Sequence, residues 1–160
     1  MIYDPSEDGK THLNIYSKAR TALGLFLSNF TEVELETDDG PFVSVEAYWY
    51  WLSTAADHPE RDILRTLYGW VAKKKGRELR GPDYDADGDV DFQKKIKKVL
   101  RYKIENSKFK KEFTVSTLPF AHYYVHFNRV IVPESGQWQT AYFEELRKEF
   151  KERDGQVPIM

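Results

Sequence analysis

Phe92, Ile96, Val99, Leu100 and Ile104 recur at helical spacing, while Lys94, Lys95, Lys97, Lys98 and Arg101 fall on the opposite face. A helix this one-sided is stable only when its apolar stripe is buried against other elements, so the chain must build a packed core. Further stripes supply partners. Ser44 reads as an N-cap, and Val45, Tyr48, Trp49, Leu52 and Ala56 predict a helix over residues 45–56, ended by His58-Pro59. A second helix is predicted from about residue 60, with Ile63, Leu64, Leu67, Tyr68 and Val71 inward. It is expected to stop at Lys73-Lys74-Lys75-Gly76, with cations in the last turn and glycine just beyond it. A short helix is predicted near residues 108–113, and Trp138, Tyr142, Phe143, Leu146 and Phe150 predict a last one to about residue 153.

Strand signals are few and short. Residues 12–16 and 32–36 alternate apolar and polar, and Asp38-Asp39-Gly40-Pro41 breaks the second run. An apolar stretch covers residues 23–30. Residues 123–132 are rich in β-formers and predict a hairpin turning at Asn128-Arg129. The expected fold class is α+β: a mostly helical single domain over residues 1–160 with a small β-sheet, and with residues 1–10 and 154–160 frayed. A chain of 160 residues that is 41% hydrophobic can fill one such core.

The absence of cysteine excludes disulfides, thiolate zinc sites and cysteine nucleophiles, and suits a reducing, cytoplasmic setting. No run reads as a signal peptide or a membrane anchor, so no membrane partner is expected. Charge is polarised along the chain: residues 1–62 hold twelve acidic and four basic side chains, residues 73–111 fourteen basic and seven acidic. A basic middle suits an anionic ligand such as a phosphate, or nucleic acid along residues 94–101, and equally a solvated helix face.

Five of those acids stand in residues 83–91. Asp83, Asp85 and Asp87 at loop positions one, three and five, Gly88 at six and Val90 at eight follow the calcium loop of EF-hands. Asp89 adds a further carboxylate. Position twelve is Lys94 where that loop needs a bidentate glutamate, and Leu79-Arg80-Gly81-Pro82 stands in place of an entering helix, so a solvated acidic loop is the competing reading. His122 and His126 fall on one face of a candidate strand. Four scattered histidines without cysteines give no transition-metal set.

The most informative constellation pairs Leu27-Ser28-Asn29-Phe30 with Ser44-Val45-Glu46-Ala47-Tyr48 across one polar strand and a turn. With Asn14-Ile15-Tyr16-Ser17 upstream, this order resembles the NADAR/YbiA-like superfamily: a short strand, a Ser-Asn-Phe element, then a helix opening on Ser-x-Glu followed by an aromatic. Gly76-Arg77 matches the family's Gly-Arg pair after a helix. Lys103 to Asn106 is compatible with its Lys-x-x-x-Asn turn, and Glu134, Trp138 and Arg147 stand for its acid, tryptophan and helical arginine. The family's Trp-Gly segment and Asn-x-Leu-Gly run are absent, and in this the chain resembles divergent branches of the kind carried by phages. The resemblance implies a YbiA-like fold and cleavage of a base or amine from C1′ of a ribose. The substrates implied are ADP-ribosyl adducts of nucleobases or phosphorylated riboflavin-pathway intermediates, with no cofactor.

That chemistry passes through an oxocarbenium-like transition state, which a carboxylate near C1′ stabilises while it orients or deprotonates water. Glu46 is the candidate. In a first helical turn its charged form gains about 0.3–1 kcal/mol from the macrodipole, so it is expected to be ionised at neutral pH. Arg77 and Lys75 are candidates to clamp a phosphate. Asn29, flanked by Ser28 and Phe30, would bond a ribose hydroxyl or base edge. Trp138 and Tyr48 would stack on a base or pack in the core, and His122 and Arg147 would line the pocket. A non-catalytic ADP-ribose or nucleotide-binding module is the alternative.

Overall fold

The computed structural model describes residues 3–81 and 86–154, and their contacts gather into two units, Met1–Leu27 with Asn106–Met160, and Ser28–Glu105. In chain order the elements are β1 (Leu13–Asn14), α1 (Ala22–Leu27), β2 (Leu35–Thr37), β3 (Gly40–Phe42), α2 (Val45–Ser53), α3 (Gly69–Arg80), α4 (Val90–Glu105), α5 (Lys110–Val115), β4 (Phe120–Ala121), β5 (Tyr124–His126), β6 (Arg129–Ile131) and α6 (Trp138–Asp154). Single 3-10 segments cover Pro5–Glu7, Arg61–Thr66 and Ala86–Gly88. The α+β, mostly helical class is as expected. In place of one small sheet, the described residues form three two-stranded pairings: β1 with β4 in parallel, and β2 with β3 and β5 with β6 antiparallel. No described helix is long and apolar enough to cross a membrane.

In the unit Ser28–Glu105, α2 begins where the sequence places it. Ser44 is extended, and its Oγ accepts from the Ala47 amide at 3.1 Å while donating to the Leu67 carbonyl at 2.9 Å. One hydroxyl thus caps α2 and anchors the chain entering α3. Tyr48 is a core residue: it is 1% exposed, packs on Phe42 with ring centroids 4.8 Å apart, and its hydroxyl donates to Asp39 Oδ2 at 2.7 Å. The stripe Phe92, Ile96, Val99, Leu100 and Ile104 of α4 is buried throughout. Its basic face is partly neutralised, because Lys95 pairs with Asp39 at 3.0 Å, Lys98 with Asp38 at 2.6 Å and Arg101 with Glu105 at 3.4 Å. The Asp38-Asp39 break is the turn of the β2–β3 hairpin, which Gly40 closes at φ +102°.

The second predicted helix is not one helix. Residues 61–66 wind as 3-10, Leu67 is extended, and α3 then runs through Gly76 to end at Gly81, whose φ of +78° is the left-handed value that terminates helices. Gly76 is therefore interior to the helix, not beyond its end. Lys73, Lys74 and Lys75 are good helix formers that carry the helix past the point where charge alone would end it. Interior glycine costs about 0.5–1 kcal/mol relative to alanine. The compensation is contact, since a Cβ at residue 76 would run into the ring carbons and Cβ of Tyr50 on α2.

In the other unit, residues 3–10, expected to fray, are tied down. Asp4 caps the first 3-10 turn by accepting from the Ser6 amide at 3.0 Å. The Asp8 carboxylate accepts from the Asn14 and Arg20 amides at 2.9 and 3.0 Å, and Tyr3 stacks on Tyr123 at 4.9 Å. Acids of a terminus expected to fray thus hold backbone amides, Asp4 at a 3-10 start and Asp8 at Asn14 and Arg20. Residues 1–2 and 155–160 lie outside the described residues. Asn14 bonds the amide and carbonyl of Tyr123, both at 3.0 Å, and so continues the pairing of β1 with β4. Phe113, Phe120, Phe143 and Phe150 pack among α5, β4 and α6. The β5–β6 hairpin turns one residue earlier than predicted, at Phe127 and Asn128, which both have positive φ. A two-residue turn of that hand needs both central residues in the left-handed region, and Arg129 is already paired with His126.

Gly76→Ala is expected to lower stability by about 1–3 kcal/mol through overpacking against Tyr50. The same change in a Tyr50→Ala background should cost far less, and urea unfolding of the four variants of this cycle reads the difference.

Candidate functional site

Three consecutive residues organise the region around Glu46. The Ser28 carbonyl accepts from Lys103 Nζ at 2.9 Å, the Asn29 carbonyl from the Glu46 amide at 2.9 Å, and the Phe30 carbonyl from the Gly69 amide at 3.0 Å. Helix N-termini carry amides without intrahelical partners, and these carbonyls satisfy one such donor in α2 and one in α3. Ser28 Oγ, itself buried, accepts from the Phe30 amide at 3.2 Å and holds the segment in its bend. Asn29 thus acts on Glu46 through its backbone.

Glu46 is the second residue of α2 and partly exposed. Across from it α3 presents Lys73, Arg77 and Arg80, whose spacing of four and three residues places them on one helical stripe. The expectation that Glu46 is simply ionised is corrected. Loss of hydration pushes its carboxyl up to about 7, even though Lys73, Arg77 and Arg80 all pull the other way. Desolvation outweighs both the macrodipole and three cations because burial penalises the charged form most strongly. Lys73 is shifted downward, first by burial and then by Arg77, with Glu46 opposing. Tyr50, one turn beyond Glu46, is shifted upward by burial and by the Glu46 charge. A carboxyl balanced near neutrality exchanges protons readily in either direction, which is the property general acid–base catalysis requires.

Of the residues singled out in sequence, Ser28, Asn29, Phe30, Glu46 and Arg77 come together here. Lys75 does not: it lies off the stripe and pairs with Glu60 at 3.2 Å and Glu78 at 3.8 Å. Tyr48 is spent in the core. His122, Trp138 and Arg147 belong to the other unit. His122 Nδ1 donates to the Ile15 carbonyl at 2.7 Å, outside β5, so it does not share a strand with His126. Trp138 opens α6 and is half-buried. Arg147 is 6% exposed, bonds the Leu118 carbonyl at 2.8 Å and Glu144 at 2.6 Å, and lies over the Phe120 ring at 4.3 Å. Sequence reading passed over Lys73, Arg80 and Tyr50. The signal was the i, i+4, i+7 recurrence of cations, hidden because residues 73–75 read as a helix end.

Asp83 and Asp85 of the acidic loop lie outside the described residues. Asp89 caps α4, its Oδ1 accepting from the Phe92 amide at 3.0 Å. Among the described residues no cluster of three or more histidine or acidic side chains is arranged to hold a metal.

No family model matches the chain, and no curated protein matches it. Among solved structures, the chain is similar to the NMR structure of the Escherichia coli protein YbiA, with 17% identity over 98% of each chain and a TM-score of 0.67. At this identity the likeness establishes a shared fold, which agrees with the α+β, YbiA-like class expected from the motifs.

Two ionisable groups shifted by loss of hydration set opposite pH dependences in this unit. Glu46 has its folded pKa raised, so the folded state binds more protons than the unfolded state between about 4.5 and 7 and stability falls across that window. Glu46→Gln is expected to raise stability at pH 8 by about 1–3 kcal/mol and to change it little at pH 5. Lys103, 2% exposed, is depressed by burial to about 7, so its contribution makes stability rise between about 7 and 10.5. Lys103→Met should flatten that rise. Urea unfolding from pH 5 to pH 10 measures both.

Proposed function

We propose that the chain is an N-glycosidase that hydrolyses the C1′–N bond of a ribosylated, phosphate-bearing substrate, with Glu46 as its catalytic carboxyl group. The observation that carries this reading is a carboxyl at the start of α2 balanced near pH 7 beside the Lys73, Arg77 and Arg80 stripe. The resemblance of its Ser-Asn-Phe and Ser-x-Glu elements to the NADAR/YbiA-like superfamily, and the fold it shares with YbiA, support the same reaction class.

The C1′–N bond breaks with its electron pair leaving on nitrogen, and positive charge develops over C1′ and the ring oxygen. The Glu46 carboxylate stabilises that charge and takes a proton from water as the water oxygen bonds to C1′. The proton then passes from Glu46 to the departing nitrogen, leaving a free ribose hydroxyl and a protonated base or amine. Water is the only co-reactant. A group near pKa 7 serves both halves of this transfer, since it accepts and releases the proton at little cost. Lys73, Arg77 and Arg80 have two tasks. They bind the substrate phosphate, Arg77 in bidentate fashion, and they keep enough of the Glu46 carboxylate ionised to act as base.

Incubation with an ADP-ribosylated nucleobase should release ADP-ribose. The rate is expected to rise with pH through about 7 and level above it, as the carboxylate form becomes dominant. Glu46→Gln should lose about 10²–10⁴-fold in kcat and keep its fold. Arg77→Ala should mainly raise KM. Saturable binding of ADP-ribose without release of product over long incubation would defeat the hydrolase reading and leave a non-catalytic nucleotide-binding module.

A further inference from the structure

In an antiparallel pair, positions that exchange both ladder hydrogen bonds alternate with positions whose amides and carbonyls point outward. His126 and Arg129 flank the two-residue turn of the β5–β6 hairpin, so the next pair, Val125 with Val130, is an outward one. On the β5 side this edge is used: the Val125 carbonyl accepts from the Tyr16 hydroxyl at 3.4 Å, and the Tyr16 and Tyr124 rings lie 5.5 Å apart. On the β6 side it is not. Among the described residues, neither the backbone of Val130 nor that of Val132, two positions on, has a hydrogen-bond partner.

An open edge normally carries a device against pairing, such as a lysine, a bulge or a covering element. The centre of β6 carries none: Val130, Ile131 and Val132 are apolar, the register with β5 has no bulge, and Ile131 and Val132 are 46% and 47% exposed. The hairpin is also tied at its base, where Gln137 Nε2 donates to the carbonyls of Pro133 at 2.8 Å and His122 at 3.3 Å. A two-stranded ribbon is marginal in water, and a further strand along an anchored, apolar edge removes that weakness.

Charge selects the strand. Arg129 and Glu134 stand at opposite ends of this edge, both exposed, and among the described residues neither has an ion-pair partner. No acid occurs between residues 113 and 133, so the Arg129 end is cationic. A parallel copy of the edge would set Arg129 beside Arg129; an antiparallel copy brings each Arg129 to the Glu134 end of the other chain. With Val130 opposite Val132 of the second copy, the outward amides and carbonyls of both residues are matched, and Ile131 meets its own counterpart at the two-fold axis. Pro133, which has no amide to donate, then lies opposite Arg129, whose own ladder groups point back into the hairpin, so no bond is lost there. We propose that the β6 edge binds a second copy of this chain in a two-fold antiparallel pairing that joins the two hairpins into one sheet.

Sedimentation velocity over a concentration series tests this. The unaltered chain is expected to pass from monomer to dimer as concentration rises. Val130→Pro removes the outward amide without touching a bond of the hairpin, since proline is accepted on the solvent side of an edge strand, and should leave a monomer. Ile131→Lys should do the same by placing two ammonium groups at the two-fold axis. Arg129→Glu is expected to weaken the dimer roughly tenfold, because like charges then meet at both ends of the paired strands. Adding Glu134→Arg to that variant should restore association, a recovery that a general loss of folding cannot produce. Urea unfolding at a dilution where every form is monomeric should give similar midpoints for all variants. A monomer at every concentration, a dimer indifferent to Val130→Pro and Ile131→Lys, or a double variant no stronger than Arg129→Glu alone would overturn the inference.

Discussion

Two helix starts are tied to one bend in the backbone, and the rest of this unit follows from that constraint. The carbonyls of Asn29 and Phe30 take an amide from α2 and an amide from α3, while the Ser44 hydroxyl reaches the carbonyl of Leu67 just before α3. Each bond satisfies a group that would otherwise be left unpaired at a helix end. Together they set where Glu46 lies relative to the cations of α3. Tyr50 and Gly76 then determine how closely the two helices approach, since only a missing Cβ admits the tyrosine ring.

The electrostatics of the region follow from this closeness. Glu46 has three cations near it and yet its carboxyl rises to about 7, which means that water lost on packing outweighs charge gained from neighbours. Lys103 repeats the pattern with opposite sign: its ammonium is buried, bonds the Ser28 carbonyl and is depressed to about 7. Both groups are costly to keep charged where packing removes water. A fold selected for stability alone would replace them with apolar side chains. Their presence fits a site where proton exchange near neutrality is worth some stability.

Several parts of this arrangement are legible in the sequence. Ser44 before an apolar stripe marked the start of α2, and five apolar residues at helical spacing marked α4. The Ser-Asn-Phe and Ser-x-Glu elements pointed to the fold. Other parts were not. The cation stripe of α3 was masked because Lys73-Lys74-Lys75-Gly76 has the composition of a helix C-terminus, and composition does not reveal that Tyr50 waits to fill the space above Gly76. Residues 1–10 are expected to fray from sequence, because a carboxylate that binds backbone amides, as Asp4 and Asp8 do, has the same letter as one that faces water. Arg147 read as a pocket residue, and its guanidinium is engaged by Glu144 and the Leu118 carbonyl.

Sequence by itself determined the start of α2, the buried stripe of α4 and that Glu46 stands in a first helical turn, because hydrophobic period and capping are local properties, whereas Ile63, Tyr68 and Val71, read as an inner helical face, are exposed. Tertiary structure alone decided the charge state of Glu46 and the choice of Lys73 over Lys75 as its neighbour. Those depend on which surfaces lose water and which groups approach across helices, and such distances are created only when α2 and α3 pack together.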